Sequence, residues 1–547
     1  MRWIRPLFTD PGEGAEPREG PEPGEGPETD QRAGPEKTDA APETLGSKAL
    51  GLALLHRLGL RVPPGFVVTT DACRAFLRDG RLPDGLHDEL ATAVTDLERA
   101  TGRTFGGPPR PLAVSVRSGA SVSMPGMMST ILNLGLTTRA RAALAAETGD
   151  PAFAENARQR FLSSLTDATT GDTPVPDDAH QQLERAIEAV FSSWNAPRAR
   201  AYRALHDIPH DLGTAAIVQS MVFGNRDARS GTGVAFSRDP TTGEKTPYGE
   251  VLFGHQGEDV VSGRTTTRPL RALAEREPAV WTELRDALGR IEAHYRDACY
   301  TEFTYQSGAL WLLQVRPGRF TGAAAVRLAT ELVDERLIGR HEALRRISTE
   351  HLRHVRTPRI ASSEDTHLLA RGIGACPGVA AGRVATTPEQ AVRLARDAPV
   401  ILVRPETSPH DMRGLAAAAG IVTARGGPAS HAAVVARALG KPAVVGAPGL
   451  AFDSEGDGHG EGEGGSGSVT VGGLRLDEGT FVTIDGTSGE VVLGRPRIST
   501  DPAGGHLRRL LAWADEIAGD RSPEGVQRSE AQRLAAAQAA LASGGDI

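Results

Sequence analysis

The stretch TARGGPASHAAVVARALGKPAVVG, residues 423–446, places one histidine between a Gly-Gly turn and a run of small apolar residues. Gly426 and Gly427 permit backbone angles that other residues resist, and Ser430 stands where it can cap a helix beginning near His431. Residues 432–439 read as that helix, Gly440 closes it and Pro442 forbids its continuation. Residues 443–445 follow as a short buried strand. His431 thus lies at a helix N-terminus, where unpaired N–H groups and the macrodipole favour an anion, and a phosphate carried on its ring would be stabilised there. A surface histidine in a well-capped helix is the other reading of the same pattern.

Outward from this stretch, residues 370–495 read as one α/β unit, interrupted by the acidic, Gly-rich run DSEGDGHGEGEGGSGS (453–468) and resumed by strands in GTFVTIDGTSGEVVLG. Residues 324–350 are helical, with Ala325, Ala329 and Val333 on one face beside Leu328 and Leu332. Toward the N-terminus, helical stretches alternate with β-rich runs such as PLAVSVRS, AAIVQSMVFG and TGVAFSRDP. A helix is expected from about Lys48 to Leu58, then a strand in GFVVTT. Residues 10–43 are so rich in Pro, Gly and Glu that they cannot bury enough surface to offset ordering, and disorder is expected. The C-terminal 501–547 reads as one or two helices.

The 547 residues are 39% hydrophobic and 24% charged, with a net charge of −8, which argues against a broadly basic nucleic-acid surface. No apolar run approaches the ~20 residues of a membrane span, and the start MRWIRPLFTDPGEG lacks a signal-peptide core. Cys73, Cys299 and Cys376 are too scattered for a metal knuckle or a disulfide framework, so free thiols and a cytoplasmic setting are expected. Only four of the 61 basic residues are lysines, which singles out Lys48 as a phosphate ligand to consider.

Two further stretches carry chemistry. In SVRSGASVSMPGMMST (115–130), Arg117 stands at a strand end before a loop whose glycines would let backbone N–H groups approach phosphate oxygens. YTEFTYQSGALWLLQVRPG (300–318) reads as a hairpin. With a three-residue loop, Glu302 would face Gln314 and Tyr300 would face Arg316, a set suited to Mg²⁺ and phosphate. A plain strand-turn and a solvated hairpin face remain the ordinary readings of these two patterns.

Together these stretches, with LGSKALGLALLHRLGLRVPPGFVVTT, VQSMVFGN, HQGEDVVSG and FSSWNAPRARAYR, resemble the nucleotide-binding half of pyruvate phosphate dikinase. ILVRPETSPHDMRGLAAAAGIVTARGG followed by SHAAVVARALGKPAVVG is similar to that family's phosphohistidine domain. The resemblance covers residues from about 44 to 515. It implies a multidomain α/β chain, with an N-terminal strand and disordered insert at 1–43 and an ATP-grasp nucleotide-binding domain at 44–322. A short helical linker would follow at 323–368, then a swivelling β/β/α phosphohistidine domain at 369–500 with the disordered loop 453–468, and a helical tail at 501–547.

The resemblance further implies that Lys48, Arg117 and Arg316 hold the ATP phosphates and that Glu302 and Gln314 bind Mg²⁺. It implies an adenine pocket at Gln219, Met221 and Val222, a phosphate loop with Met124 and Gly126, and His431 as the residue that carries phosphate. In the family ATP and inorganic phosphate yield AMP, pyrophosphate and phosphohistidine, and a barrel then binds the pyruvate acceptor. No such barrel follows LLAWADEIAGD, so the acceptor site is expected elsewhere, for example on a separately encoded barrel. Neither a nucleic acid nor a membrane is expected as a partner. Tyr300 stands where the family has an acidic residue two before Glu302, which motivates the alternative of a weak or inactive nucleotide-binding regulatory remnant. Ala429 replaces a threonine that the family uses for regulatory phosphorylation, and that control is expected to be absent. The rifampin-inactivating phosphotransferases share the two domains but hold a substrate domain between them, and here only about fifty residues separate the two.

Overall fold

The computed structural model describes residues 2–8, 42–122, 124, 127–169, 174–205, 207–240, 242–257, 259, 267–318, 320, 322–355, 357–361, 367–408, 411–427, 430–452, 468–471, 474–499, 504–519 and 528–543. The runs expected to be disordered, 10–43 and 453–468, lie almost wholly outside them. The chain forms two compact units, residues 1–231 with 301–316, and residues 232–300 with 317–547. Both mix helices and strands.

The first unit is built on a five-stranded sheet, Ile4–Pro6, Gly65–Val68, Ala215–Ser220, Val114–Gly119 and Thr130–Leu134 in spatial order, antiparallel throughout. Gly65–Val68 follows Pro63-Pro64 and buries Phe66, Val67 and Val68. Phe66, Val116, Val218 and Ile131 join Leu86, Leu90, Phe161 and Phe191 from the flanking helices in one core. The expected helix at Lys48 begins earlier, as Pro42–Arg57, with a break at Gly46 (φ 78°). The hairpin strands Cys299–Gln306 and Ala309–Pro317 meet in a two-residue turn, because Ser307 (φ 51°) and Gly308 (φ 81°) both adopt left-handed angles. The three-residue loop expected from sequence is thereby corrected.

The second unit holds an eight-stranded sheet, in spatial order Leu368–Arg371, Glu490–Leu493, Phe481–Asp485, Val379–Ala385, Val400–Arg404, Gly420–Thr423, Ala443–Val445 and Ile373–Cys376. Its middle four from Val379–Ala385 to Ala443–Val445 are parallel, joined by the helices Pro388–Leu394, Met412–Ala417 and His431–Leu439. Near-continuous Val, Ile and Leu in Val400–Arg404 and Gly420–Thr423 fits their burial on both faces.

The helices Gly322–Asp334, Arg340–Arg346 and Thr349–Val355 pack with Gly504–Ala518 and Glu530–Ser543 around Leu332, Leu344, Leu510, Trp513 and Leu534. Ala325, Ala329, Leu328 and Leu332 are buried there, as their helical spacing predicts. The two chain crossings between this bundle and the eight-stranded sheet pair with each other, Arg359 with Ser499 and Ile360 with Ile498. No helix among the described residues is long and apolar enough to cross a membrane.

Candidate active site

In the first unit three elements converge on Lys48. Gly46 lies so close to the end of strand Val114–Gly119 that a Cβ there would sit 1.8 Å from the Gly119 carbonyl oxygen, and the next residue, Ser47, donates its N–H to Ala120 at 3.1 Å. One turn on, a Cβ on Gly51 would meet the Val315 carbonyl oxygen at 3.0 Å. The hairpin is fastened from behind by Leu312 N–H to the Arg61 carbonyl (2.9 Å) and Gly308 N–H to the Arg229 carbonyl (2.8 Å). Gly46→Ala is therefore expected to cost ~1–3 kcal/mol of stability in denaturant melts, and to displace the neighbouring Lys48.

Register explains the next contact. Arg117 lies opposite Ile217, so Gln219, two residues on, is its diagonal neighbour on the same face. Arg117 Nη2 donates to Gln219 Oε1 at 2.7 Å and to the Leu313 carbonyl at 2.9 Å. Gln219 in turn donates to the Pro63 carbonyl at 2.8 Å and is buried. Its amide is engaged with protein on both ends, so its effect at this site runs through Arg117. The buried Nε of Arg117 has no partner among the described residues, a donor left over at the site.

Glu302 is partly exposed and lies near enough to both cations to act on them. Burial and then the neighbouring Arg117 guanidinium pull the Lys48 ammonium down to about 8, against the opposing attraction of Glu302. Burial likewise lowers Arg117, with Glu302 opposing.

With a two-residue turn, simple alternation sets Glu302 opposite Leu313 and puts Gln314 on the other face. Leu313 and Gln314 are both partly exposed and Arg316 is exposed. The facing of Glu302 by Gln314 and of Tyr300 by Arg316, expected with a three-residue loop, is corrected by the shorter turn. Tyr300 is buried with its ring edge-on to Phe236 at 5.0 Å, in a setting unlike that of Arg316.

Among the described residues no group of three or more His, Cys, Asp or Glu is gathered to hold a metal. One carboxylate, Glu302, beside two cations instead fits Mg²⁺ that arrives on phosphate oxygens, since that ion is commonly held by one or two carboxylates plus substrate phosphates.

Met221 donates its N–H to the Ala113 carbonyl at 2.9 Å and packs against the cluster of Ala113, Leu136 and Phe153, while Val222 next to it is half-buried. Met124 is buried and accepts the N–H of Met127 at 3.3 Å. Gly126 lies outside the described residues, as does Ala429.

His431 belongs to the second unit. It is the first residue of the helix His431–Leu439, which Ser430 caps by accepting from Ala433 and Gly440 ends at φ 63°. The helix follows the strand Gly420–Thr423, whose Thr423 pairs with Arg404 of the neighbouring parallel strand. The loops that leave these two strands run side by side, with Ala424 N–H on the Arg404 carbonyl (3.0 Å) and Arg425 N–H on the Pro405 carbonyl (2.8 Å). That brings Thr407 Oγ1 to 3.0 Å from His431 Nδ1. Thr407 is held from the other side, because buried Asp411 accepts both the N–H (2.7 Å) and the hydroxyl (3.0 Å) of Ser408 and pairs with Arg404 at 3.3 Å. The carboxyl ends of parallel strands are the usual place for a ligand in open α/β sheets.

Thr407 and Asp411 were not singled out from sequence, although both lie in the quoted ILVRPETSPHDMRG run. The signal that locates them is the pairing of two strands whose loops must emerge together.

Two family models match the chain. Residues 42–101 and 78–280 match the family model described as pyruvate phosphate dikinase, AMP/ATP-binding domain, and residues 396–489 match that of the PEP-utilising enzyme, mobile domain. The chain is similar to pyruvate, phosphate dikinase 2 of Zea mays, 40% identical over 525 residues, covering 87% of this chain and 58% of the relative. It is 38% identical over 563 residues to pyruvate, phosphate dikinase of Rhizobium meliloti, covering 92% and 61%. It is 39% identical over 521 residues to the chloroplastic enzyme of Flaveria trinervia, covering 86% and 54%. The chain thus spans a little over half the length of these relatives.

Proposed function

Because the chain belongs to the pyruvate phosphate dikinase family, we propose that it uses ATP, with Mg²⁺ and inorganic phosphate, to phosphorylate its own His431. The products are AMP, pyrophosphate and one phosphoryl group on the ring, which then passes to an acceptor bound outside these two domains. The observation that carries this reading is the setting of His431. It sits at a capped helix N-terminus, at the carboxyl end of parallel strands, with Nδ1 engaged by Thr407 at 3.0 Å.

With Nδ1–H donating to the Thr407 oxygen, the lone pair lies on Nε2, which is the nucleophile. The phosphoryl group gained there faces the first backbone N–H groups of the helix. In the nucleotide site, Lys48, Arg117 and Arg316 would bind phosphate oxygens, and Glu302 with Gln314 would hold Mg²⁺, which when bound neutralises charge on the phosphates. Gln219 and the Leu313 carbonyl orient Arg117 for that task.

The test is incubation with ATP labelled at the β-phosphate, Mg²⁺ and inorganic phosphate. Acid-labile label on the chain with one AMP released per label is expected. Measurable ATP binding without label overturns the reading in favour of a nucleotide-binding remnant, the alternative that the buried Tyr300 motivates. Thr407→Val removes the hydroxyl at nearly constant shape and is expected to slow labelling about fivefold, the worth of ~1 kcal/mol in orienting the ring, with ATP affinity unchanged.

A further inference from the structure

The chain carries its positive charge almost wholly on arginine, and Lys441 is one of only four lysines among 61 basic residues. It lies just beyond the helix His431–Leu439. Its backbone N–H closes that helix by donating to the Ala436 carbonyl at 2.9 Å, next to the left-handed Gly440. Its half-buried ammonium donates to the carbonyls of Leu415 at 3.2 Å, of Ala418 at 2.5 Å and of Ala416. These carbonyls stand at the C-terminal end of the helix Met412–Ala417, where the helix leaves acceptors open. One residue therefore ends two helices, the first with its backbone and the second with its side chain.

Burial lowers the Lys441 ammonium below the usual lysine range, so the clamp is held at a desolvation cost. The residue type follows from the contacts. A tetrahedral ammonium has three donors that can converge on three carbonyls of one helix turn, whereas the donors of a guanidinium lie in a plane. In a chain that otherwise uses arginine, this geometry calls for lysine.

The two helices join neighbouring parallel strands, Val400–Arg404 to Gly420–Thr423 and Gly420–Thr423 to Ala443–Val445. They are tied at both edges of the sheet. At the carboxyl edge Thr407 Oγ1 lies 3.0 Å from His431 Nδ1, and at the amino edge Lys441 grips the 415–418 carbonyls. Between these ties the helix Met412–Ala417 is only six residues long. Its middle is pinned, since a Cβ on Gly414 would sit 2.6 Å from Pro388 Cα. Its N-cap Asp411 holds Ser408 by N–H and hydroxyl, and Thr407 is the residue before Ser408. A short helix pinned at its middle can tilt but not slide, so the grip on one end sets the place of Asp411 and Thr407 at the other. We propose that Lys441 is a positioning residue for His431, keeping Thr407 against Nδ1 by holding the far end of the helix Met412–Ala417. Its consequence for phosphate transfer rests on the reading of His431 as the phosphate carrier.

The experiment compares the full chain with Lys441→Met, Lys441→Arg, Thr407→Val and the double variant Thr407→Val with Lys441→Met, well below the melting transition of each. It reads the rate of β-phosphate labelling, the ATP affinity and the ¹⁵N resonances of the His431 ring, which report the tautomer. ATP affinity is expected to hold throughout, because Lys441 and Thr407 belong to the second unit. Labelling is expected to slow about fivefold in Lys441→Met, as in Thr407→Val, and no further in the double variant. The ring is expected to carry its proton on Nδ1 in the wild-type chain and to become a mixture of tautomers in Lys441→Met. Lys441→Arg keeps the charge without the three converging donors, is expected to change rate and tautomer in the same direction, and decides the matter if the methionine variant does not fold. Wild-type rate and tautomer in the folded Lys441 variants, even with a lowered melting temperature, overturn the proposal, as do additive losses in the double variant. Absence of label on the wild-type chain overturns the phosphohistidine reading instead, and the tautomer comparison then still decides the role of Lys441.

Discussion

His431→Gln is expected to bind ATP as the wild-type chain does and to carry no acid-labile phosphate at all. The two halves of this result have separate causes. The proposed nucleotide groups Lys48, Arg117, Glu302, Gln314 and Arg316 all belong to the first unit, and His431 to the second. Losing the ring therefore leaves the nucleotide groups untouched. Glutamine can keep a donor toward Thr407, and the helix keeps its Ser430 cap, so the fold at residue 431 is preserved. What glutamine lacks is a second nitrogen with a lone pair, the only atom in this setting that can form the N–P bond. Nucleotide binding measured by calorimetry and label counted after gel separation check the two halves together. Residual acid-labile label on this variant would mean that another residue is the phosphate carrier.

Lys48→Met is expected to lower ATP affinity about a hundredfold, the scale of one charge-assisted phosphate contact, while leaving the chain as stable or more so. The second part follows from the electrostatics. Burial and the neighbouring Arg117 both disfavour the ammonium, which holds Lys48 at about 8. Between about pH 8 and the ordinary lysine range, an unfolded chain keeps a proton that the folded site has released. Stability contributed by this group therefore rises as pH increases through that window, and methionine removes the penalty felt below it. Binding has the opposite sense. If ATP needs the ammonium, its binding from about pH 8 upward should draw in a proton, and its affinity should decline as pH rises further. Calorimetry in buffers of different ionisation enthalpy measures that proton directly, and Lys48→Met should abolish it. Equal proton uptake in the variant would assign the titration to another group.

The helix at His431 was legible because every one of its signals is local: Ser430 before it, Gly440 after it, Pro442 beyond. The burial of Leu328 and Leu332 was legible from spacing alone. The hairpin was legible as a hairpin but not in register, because left-handed Ser307 and Gly308 shorten the turn to two residues. The break at Gly46 was hidden for a different reason. It exists to let one backbone pass against another 73 residues later in the chain, where Ser47 meets Ala120. Thr407, the partner of Nδ1, and Gln219, the partner of Arg117, are likewise set by which strands are neighbours and in what register. The pairing of strands distant in sequence is the information that a run of residues does not carry.

The paired crossings Arg359–Ile360 and Ile498–Ser499 have a topological consequence. The helical bundle gives up its chain after Val355 and takes it back at residue 504, so the eight-stranded sheet with His431 is a cassette spliced into a helical host. Its two cut ends lie hydrogen-bonded side by side, and Ile360 N–H is fixed to Asp485 inside the cassette at 3.0 Å. Such a cassette can be excised at its own stem and supplied separately. Residues 357–499 made alone should fold and accept phosphate in trans from a His431→Ala chain, turning one polypeptide into a donor and a carrier that can be titrated against each other.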